Sequence, residues 1–269
     1  MSQALLQIRD LHTYFGTKAG VVKAVDGVSL DLEEDSVLGL VGESGSGKSV
    51  TALSILQIVP FPGNIVGGSI IYEGTDLMTL GDEKMRRIRG KSISMIFQDV
   101  GAALNPVMPI GAQVEEVMLE HTGMSQSEAR SLAVDLLAQT GIAEASRILD
   151  QYPFQLSGGM GQRVMMAIGV ALKPRVLIAD EPTSSLDVTM QAEMLLRFKQ
   201  LQADSGTAIM LITHDLGVIA QMSDTVAVMY GGTIVEYADT QSLFARPRHP
   251  YTWGLFQALP RLDFAVRFR

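Results

Sequence analysis

The chain has 269 residues, 47% of them hydrophobic, which is enough for a sizeable core in one large domain or two small ones. Its 29 acidic against 21 basic residues leave a formal charge of −8, which argues against a sequence-independent grip on nucleic acid, a task that rests on many Lys and Arg. With no cysteine, disulfides, zinc–cysteine sites and cysteine-ligated iron–sulfur clusters are excluded, and a reducing, cytosolic home fits.

The N-terminal stretch "MSQALLQIRDLHTYFG" lacks a basic region, an apolar run and a small-residue cleavage site, so no secretory signal is visible. Next comes "VLGLV" (37–41), a short apolar run, followed by Gly42-x4-Gly47-Lys48-Ser49 and a helical pattern, "KSVTALSILQIV". This strand–loop–helix order is the setting a phosphate-binding loop requires. Gly42, Glu43, Ser44, Gly45, Ser46, Gly47, Lys48, Ser49 and Val50 then form the cradle. The glycines let backbone N–H groups close around phosphates, and the helix N-terminus adds partial positive charge. Lys48 is expected to reach the β and γ phosphates, and Ser49 to hold Mg²⁺.

Residues 49–72 carry no charge and are long enough to raise a membrane span. Pro60, Pro62, Gly63, Asn64, Gly67 and Gly68 break the second half, so the stretch reads as a helix, a turn-rich loop and a strand. If the protein works at a membrane, other chains supply the spanning helices.

Further along, "ISMIF" (93–97), "VLIAD" (176–180) and "AIMLIT" (208–213) are apolar runs without alternation, the pattern of strands buried on both faces of a helix-covered parallel sheet. Between 99 and 171 the pattern is helical. Ser125 and Glu128 make a capping-box pair, and Ala129, Leu132, Ala133, Leu136 and Leu137 form an apolar face that Gly141 ends. In "TVAVMYGGTIVEY", Gly231 and Gly232 read as a hairpin turn, so some antiparallel sheet joins an α/β fold. The tail from about 241 reads as an appendage.

Three sites carry chemistry beyond the loop. "VLIADEP" ends a buried strand in Asp180 and Glu181, suited to a water-mediated Mg²⁺ contact and to a base for attacking water. His214 ends the strand of "LITHD" at the sheet edge where α/β proteins place ligands, whereas His12, His121 and His249 read as structural. "LSGGMGQRVMMAIGVAL" sets Ser157, Gly158 and Gly159 at the start of an apolar helix, a second helix N-terminus suited to an anion and, taken alone, equally a simple cap.

Together these residues resemble the ATP-binding subunit of ATP-binding cassette (ABC) transporters over essentially the whole chain, with "LSGGM" (156–160) the specific part. The resemblance implies a P-loop NTPase fold of the RecA-like type, an α/β fold whose mostly parallel sheet carries an antiparallel β subdomain and an inserted α-helical subdomain. Residues 1–245 would be the nucleotide-binding domain, 99–171 its helical insertion, and 246–269 a C-terminal tail. It implies that two ATPase subunits pair head to tail, each ATP being held by one subunit's phosphate loop and closed over by the other's signature. Ser157, Gly158, Gly159 and Asp187 would thus serve the partner's ATP. Asp187, in "SSLD" (184–187), is equally placed to cap the helix that begins near Val188.

By position, Phe15 in "YFG" falls where an aromatic stacks on adenine, with Tyr14 as a competitor and an apolar core role as the alternative. Gln98 in "IFQD" matches the glutamine that contacts Mg²⁺ and water, and is otherwise a polar strand end. The implied catalytic set is Lys48, Gln98, Glu181 and His214, and the implied Mg²⁺ contacts are Ser49, Gln98 and, through water, Asp180. With every position filled, the chain is expected to hydrolyse ATP to ADP and phosphate.

Within this family the chain looks most like the ATPases of oligopeptide and dipeptide importers, through "YPFQLSGGM", "DEPTSSLDVTMQAEML", "THDLGVIA" and above all "HPYTWGLFQALPRL". That group also contains nickel and metal-chelate importers, the alternative reading; a non-transport ABC ATPase and a non-hydrolysing regulatory subunit are further competitors. The implied partners are a second, different ATPase chain, two membrane permeases gripped by the helical insertion, chiefly by the segment after Gln98 and secondarily by 115–124, and indirectly an extracytoplasmic solute-binding protein. The implied location is peripheral, on the cytoplasmic face of the inner membrane. Four departures from the group pattern stand out: Val100-Gly101-Ala102 after "FQD", Gly161 after "LSGGM", Ser185 in "SSLD", and a tail without cysteines.

Overall fold

The computed structural model describes residues 4–184 and 186–257; Ser185 and the tail beyond 257, including part of "HPYTWGLFQALPRL", lie outside the described residues. The chain opens with strands β1 (Leu6–Thr17), β2 (Gly20–Leu32) and β3 (Val37–Val41), then helix α1 (Lys48–Ile55), strands β4 (Gly63–Tyr72) and β5 (Thr75–Asp76), helix α2 (Asp82–Ile88) and strand β6 (Ile93–Ile96). Helices α3 (Val100–Ala103), α4 (Ile110–His121), α5 (Gln126–Gln139), α6 (Ala145–Ile148) and α7 (Gly158–Val170) follow without an intervening strand. Then come β7 (Val176–Asp180), α8 (Val188–Ser205), β8 (Ala208–Ile212), α9 (Leu216–Met222), β9 (Thr225–Tyr230), β10 (Thr233–Asp239), α10 (Thr240–Ala245) and α11 (Pro250–Gln257).

Two sheets result. One runs β2-β1-β4-β5 and is antiparallel; the other runs β10-β9-β3-β8-β7-β6 and is parallel from β9 through β6. The uninterrupted apolar runs are explained by two cores, one on each face of the parallel sheet. Alternate side chains of β3, β7 and β8 divide between them: Leu38, Leu40, Ile178, Met210 and Ile212 enter the core shared with the antiparallel sheet and α1. Val37, Val41, Leu177, Ala179, Ile209 and Leu211 enter the core shared with the helices. A strand whose two faces are both covered cannot alternate with polar residues.

Local signals behave as chemistry dictates. Ser125 and Glu128 form a reciprocal capping box at the start of α5, and α5 ends with Gly141 at φ 85°, a left-handed position that favours glycine. Ala129, Ala133, Leu136 and Leu137 are buried. Gly231 and Gly232, at φ 54° and 87°, turn β9 into β10. Helix α1 is shorter than the apolar pattern suggested. It stops at Ile55 because Gln57 takes a left-handed φ of 53° and sends its side chain to the Leu77 carbonyl at 2.6 Å, ahead of Pro60.

Two of the departures explain each other. A Cβ at Gly161 would lie 2.5 Å from Val100 Cγ1, so the glycine in the first turns of α7 makes room for the valine that opens α3. The loop that follows α3, "LNP" (104–106), is pinned by Gln113, which accepts from Asn105 N–H at 2.8 Å and donates to the Asn105 and Met108 carbonyls at 3.0 and 2.9 Å.

Candidate nucleotide site

The parallel strands end at one edge, and the loops there bring the site together. β3 delivers the chain into the loop 42–47, where close packing leaves no space for a side chain at Gly42 or Gly47. A Cβ at Gly42 would fall 2.1 Å from the Met229 carbonyl oxygen, and one at Gly47, at φ 108°, would fall 2.1 Å from that of Ala24. α1 begins at once, aiming its first N–H groups at the loop's interior.

Lys48 is 7% exposed, and its ammonium donates to the Gly42 and Glu43 carbonyls at 2.7 and 2.9 Å and to Ser46 Oγ at 3.4 Å. Burial pushes its pKa down, while the Glu181, Asp180 and Glu43 carboxylates act the other way. The cation is therefore held by neutral carbonyls, which a phosphate can replace without leaving it unpaired.

β7 ends in Asp180, which is 3% exposed and has Oδ1 buried without a hydrogen-bond partner. Burial pushes its carboxyl up, with the Ser49 hydroxyl beside it pulling the other way. An orphaned carboxylate oxygen beside a hydroxyl fits a hydrated divalent cation that takes most of its remaining ligands from water and phosphate. Glu181, 8% exposed, has φ 48°, a left-handed conformation costly for a residue with a Cβ. It is held by its own N–H on the Ile212 carbonyl at 2.8 Å, and Oε1 accepts from His214 N–H at 3.1 Å and His214 Nδ1 at 2.8 Å.

Ser44, Gly45, Gly47, Lys48, Ser49, Val50, Gln98, Glu181 and His214 line one cavity of about 330 Å³, with Ala24 from β2 completing it. Thus Gln98, Lys48, Glu181 and His214, four residues distant in sequence, converge. Phe15 does not line it; its ring occupies the space beside Gly63, where a Cβ would fall 2.6 Å from a ring carbon. Tyr14 is committed elsewhere, its hydroxyl donating to Asp26 Oδ1 at 2.6 Å. Ser157, Gly158, Gly159 and Asp187 also lie outside the cavity lining. Ser157 caps α7 through Met160 N–H at 3.3 Å, and Asp187 caps α8 through Met190 N–H at 2.9 Å. Beside Asp187, Val188 is 82% exposed, an apolar side chain left uncovered among the described residues.

Sequence reasoning missed Ala24, which carries no motif, and Tyr251, whose hydroxyl accepts from Glu43 N–H at 2.9 Å. The "HPYT" stretch signalled the second without saying what the tyrosine touches.

The fold and this loop–carboxylate–histidine constellation define a nucleotide-binding P-loop protein, and comparison with known proteins narrows the class. Residues 25–184 match the ABC transporter family, and residues 235–268 match the C-terminal region of oligopeptide/dipeptide transporters. The chain belongs to the ABC transporter family. It is 47% identical over 260 residues to the oligopeptide transport ATP-binding protein OppD of Bacillus subtilis, covering 96% of this chain and 73% of that protein. To the dipeptide transport ATP-binding protein DppD of Lactococcus lactis it is 46% identical over 265 residues, covering 98% and 76%. A bacterial ABC transporter cassette solved as a dimer superposes with a TM-score of 0.79 at 25% identity, over 87% of this chain and 98% of that one. No helix among the described residues is long and apolar enough to cross a membrane.

Proposed function

We propose that this chain is the ATP-hydrolysing subunit of an ABC importer for di- or oligopeptides. The observation that carries the reading is the convergence of Lys48, Gln98, Glu181 and His214 on one cavity at the phosphate loop. The loop's N–H groups and Lys48 bind the triphosphate, Lys48 exchanging its carbonyl partners for phosphate oxygens. Glu181 accepts a proton from water as the water oxygen bonds to the γ phosphorus and the bond to the bridging oxygen breaks, giving ADP and phosphate. His214 fixes the direction of that carboxylate through two hydrogen bonds to Oε1.

Ser49, Gln98 and Asp180, the last through water, are the residues that would hold Mg²⁺. When bound, that ion neutralises charge on the β and γ phosphate oxygens. Phe15 lies outside this cavity lining, so the adenine contact assigned to it would need the base to extend past the cavity to its half-buried ring.

The cavity is formed by one chain, while Ser157, Gly158, Gly159 and Asp187 lie outside it. We assign them to the ATP of a second ATPase subunit, with exposed Val188 beside Asp187 covered in the closed pair. Residues 1–245 serve as the nucleotide-binding domain, with 99–171 inserted as a permease-gripping element and 246–269 as the tail. Within the insertion, Glu115 and Met118 are buried, at 2% and 0% exposed, so the grip falls instead on apolar groups such as Val107 and Phe154, 79% and 74% exposed. The chain then sits at the cytoplasmic face of the membrane by holding two permeases, with a solute-binding protein outside. The peptide assignment is supported by the names of the relatives and by the match over 235–268. It is tested by peptide-dependent phosphate release from the complex of this chain with its permeases and binding protein; no stimulation by peptides would refute it.

A further inference from the structure

The peptide that joins Gly42 to Glu43 is held at both ends. Its Gly42 carbonyl accepts from Lys48 Nζ at 2.7 Å and its Glu43 N–H donates to the Tyr251 hydroxyl at 2.9 Å, while in the next peptide the Glu43 carbonyl accepts from Lys48 Nζ at 2.9 Å and from Ser46 N–H at 3.2 Å. The bond to Tyr251 spans 208 residues of sequence and joins the phosphate loop to α11. Tyr251 is itself well fixed. Its ring lies 4.5 Å from that of Tyr230 at the end of β9, next to Met229, whose carbonyl packs against Gly42. Its N–H donates to His249 Nδ1 at 3.2 Å, and the Glu236 carboxylate accepts from Arg248 and His249 N–H at 2.8 and 3.0 Å just before α11 begins. On the far side of α11, Phe256 stacks on Phe244 at 4.8 Å.

We propose that Tyr251 is a positioning residue for nucleotide binding: it ties α11 to the phosphate loop, so that loop order and α11 docking depend on each other. The proposal rests on the reading of this loop as an ATP site. The mechanism is local. In the trans Gly42–Glu43 peptide the N–H points opposite to the carbonyl that faces Lys48, so the tyrosine orients this peptide without competing for phosphate. An oriented peptide keeps the Lys48 cradle formed before ATP arrives, and preorganisation of that kind appears as affinity. By linkage, if docked α11 favours ATP, then ATP must favour docked α11 to the same degree.

The chain's single tryptophan, Trp253, sits on α11 and is 58% exposed, which makes it a direct reporter. The test compares wild type with Tyr251→Phe, which keeps the ring against Tyr230 and removes only the hydroxyl. ATP affinity is measured calorimetrically, Trp253 by acrylamide quenching with and without ATP, and folding by thermal melting of the nucleotide-free protein. Loss of one neutral hydrogen bond predicts ATP binding about 2- to 10-fold weaker, with an unchanged nucleotide-free melting midpoint. In wild type, ATP should reduce quenching of Trp253, and in Y251F that change should shrink. Equal ATP affinity in the two proteins, or wild-type quenching indifferent to bound ATP, would overturn the tether. Wild type that binds no ATP would instead overturn the reading of the loop, and the role of Tyr251 with it.

Discussion

His214 Nδ1 lies 2.8 Å from Glu181 Oε1, and the His214 backbone N–H reaches the same oxygen at 3.1 Å. A carboxylate just past the end of β7, in a left-handed conformation, is thereby aimed by a residue just past the end of the adjacent strand β8. Replacing Glu181 with Gln keeps the shape and removes the proposed proton acceptor. Hydrolysis should fall by about 10² to 10⁴, or ~3 to 5 kcal/mol of barrier, while ATP affinity stays within about twofold. Phosphate release and calorimetric binding of E181Q check this; wild-type turnover in E181Q would remove Glu181 from the mechanism.

Gly47→Ala should abolish tight ATP binding before it unfolds the protein. The new methyl meets the Ala24 carbonyl at 2.1 Å in a backbone of φ 108°, a conformation that costs a non-glycine residue about 1 to 3 kcal/mol. The loop must move to relieve it, and the loop is the proposed binding site. We expect ATP affinity at least about tenfold weaker, the binding equivalent of ~1.4 kcal/mol. Calorimetry together with the nucleotide-free melting curve separates this from global loss of fold.

Gly161 and Val100 form a size-matched pair, and substituting the glycine should be costly only while the valine is present. Gly161→Ala forces a methyl to 2.5 Å from Val100 Cγ1, an overpacking worth about 1 to 3 kcal/mol. Adding Val100→Ala should recover much of it. Urea denaturation of the two single variants and the double variant gives the coupling directly; additive losses would show that the contact is not what limits residue 161.

Asp26 should contribute to acid stability. The Tyr14 hydroxyl, Lys23 and His12 hold its carboxyl down at about 2, from an ordinary value of 3.8. A depressed carboxylate stabilises the fold above its unfolded pKa, and the contribution is lost as pH falls from about 3.8 towards about 2. Asp26→Asn should therefore be less stable than wild type at neutral pH, and the difference should narrow through that window. Denaturation midpoints recorded against pH check it, and a difference independent of pH would contradict the assignment.

What the sequence could announce depended on the range of the interaction. The strands of the parallel sheet were legible because burial on both faces forces apolar residues at every position, as at Leu177, Ile178 and Ala179. The capping box of Ser125 and Glu128 was legible because it closes within one turn. The phosphate loop and the "VLIADEP" carboxylates were legible because their chemistry fixes both residue type and spacing. Contacts between distant segments left no such trace. Nothing in "VGAAL" or "GMGQR" announces that Val100 fills the space above Gly161, and Tyr251 reaches Glu43 across most of the chain. The apolar pattern running on to Val59 overstated α1, because the turn at Gln57 is secured by the Leu77 carbonyl, again a distant partner.

The central claim is that hydrolysis at the Lys48–Glu181 site drives peptides through a channel made by other chains. The most direct measurement is uptake of a labelled oligopeptide into proteoliposomes holding this chain with its co-purified permeases and solute-binding protein, ATP being supplied on the side that exposes this chain. ATP-dependent accumulation is expected, with phosphate release that rises with peptide and with both lost in E181Q. Phosphate release that ignores peptide, with no accumulation in the wild-type complex, would contradict the claim.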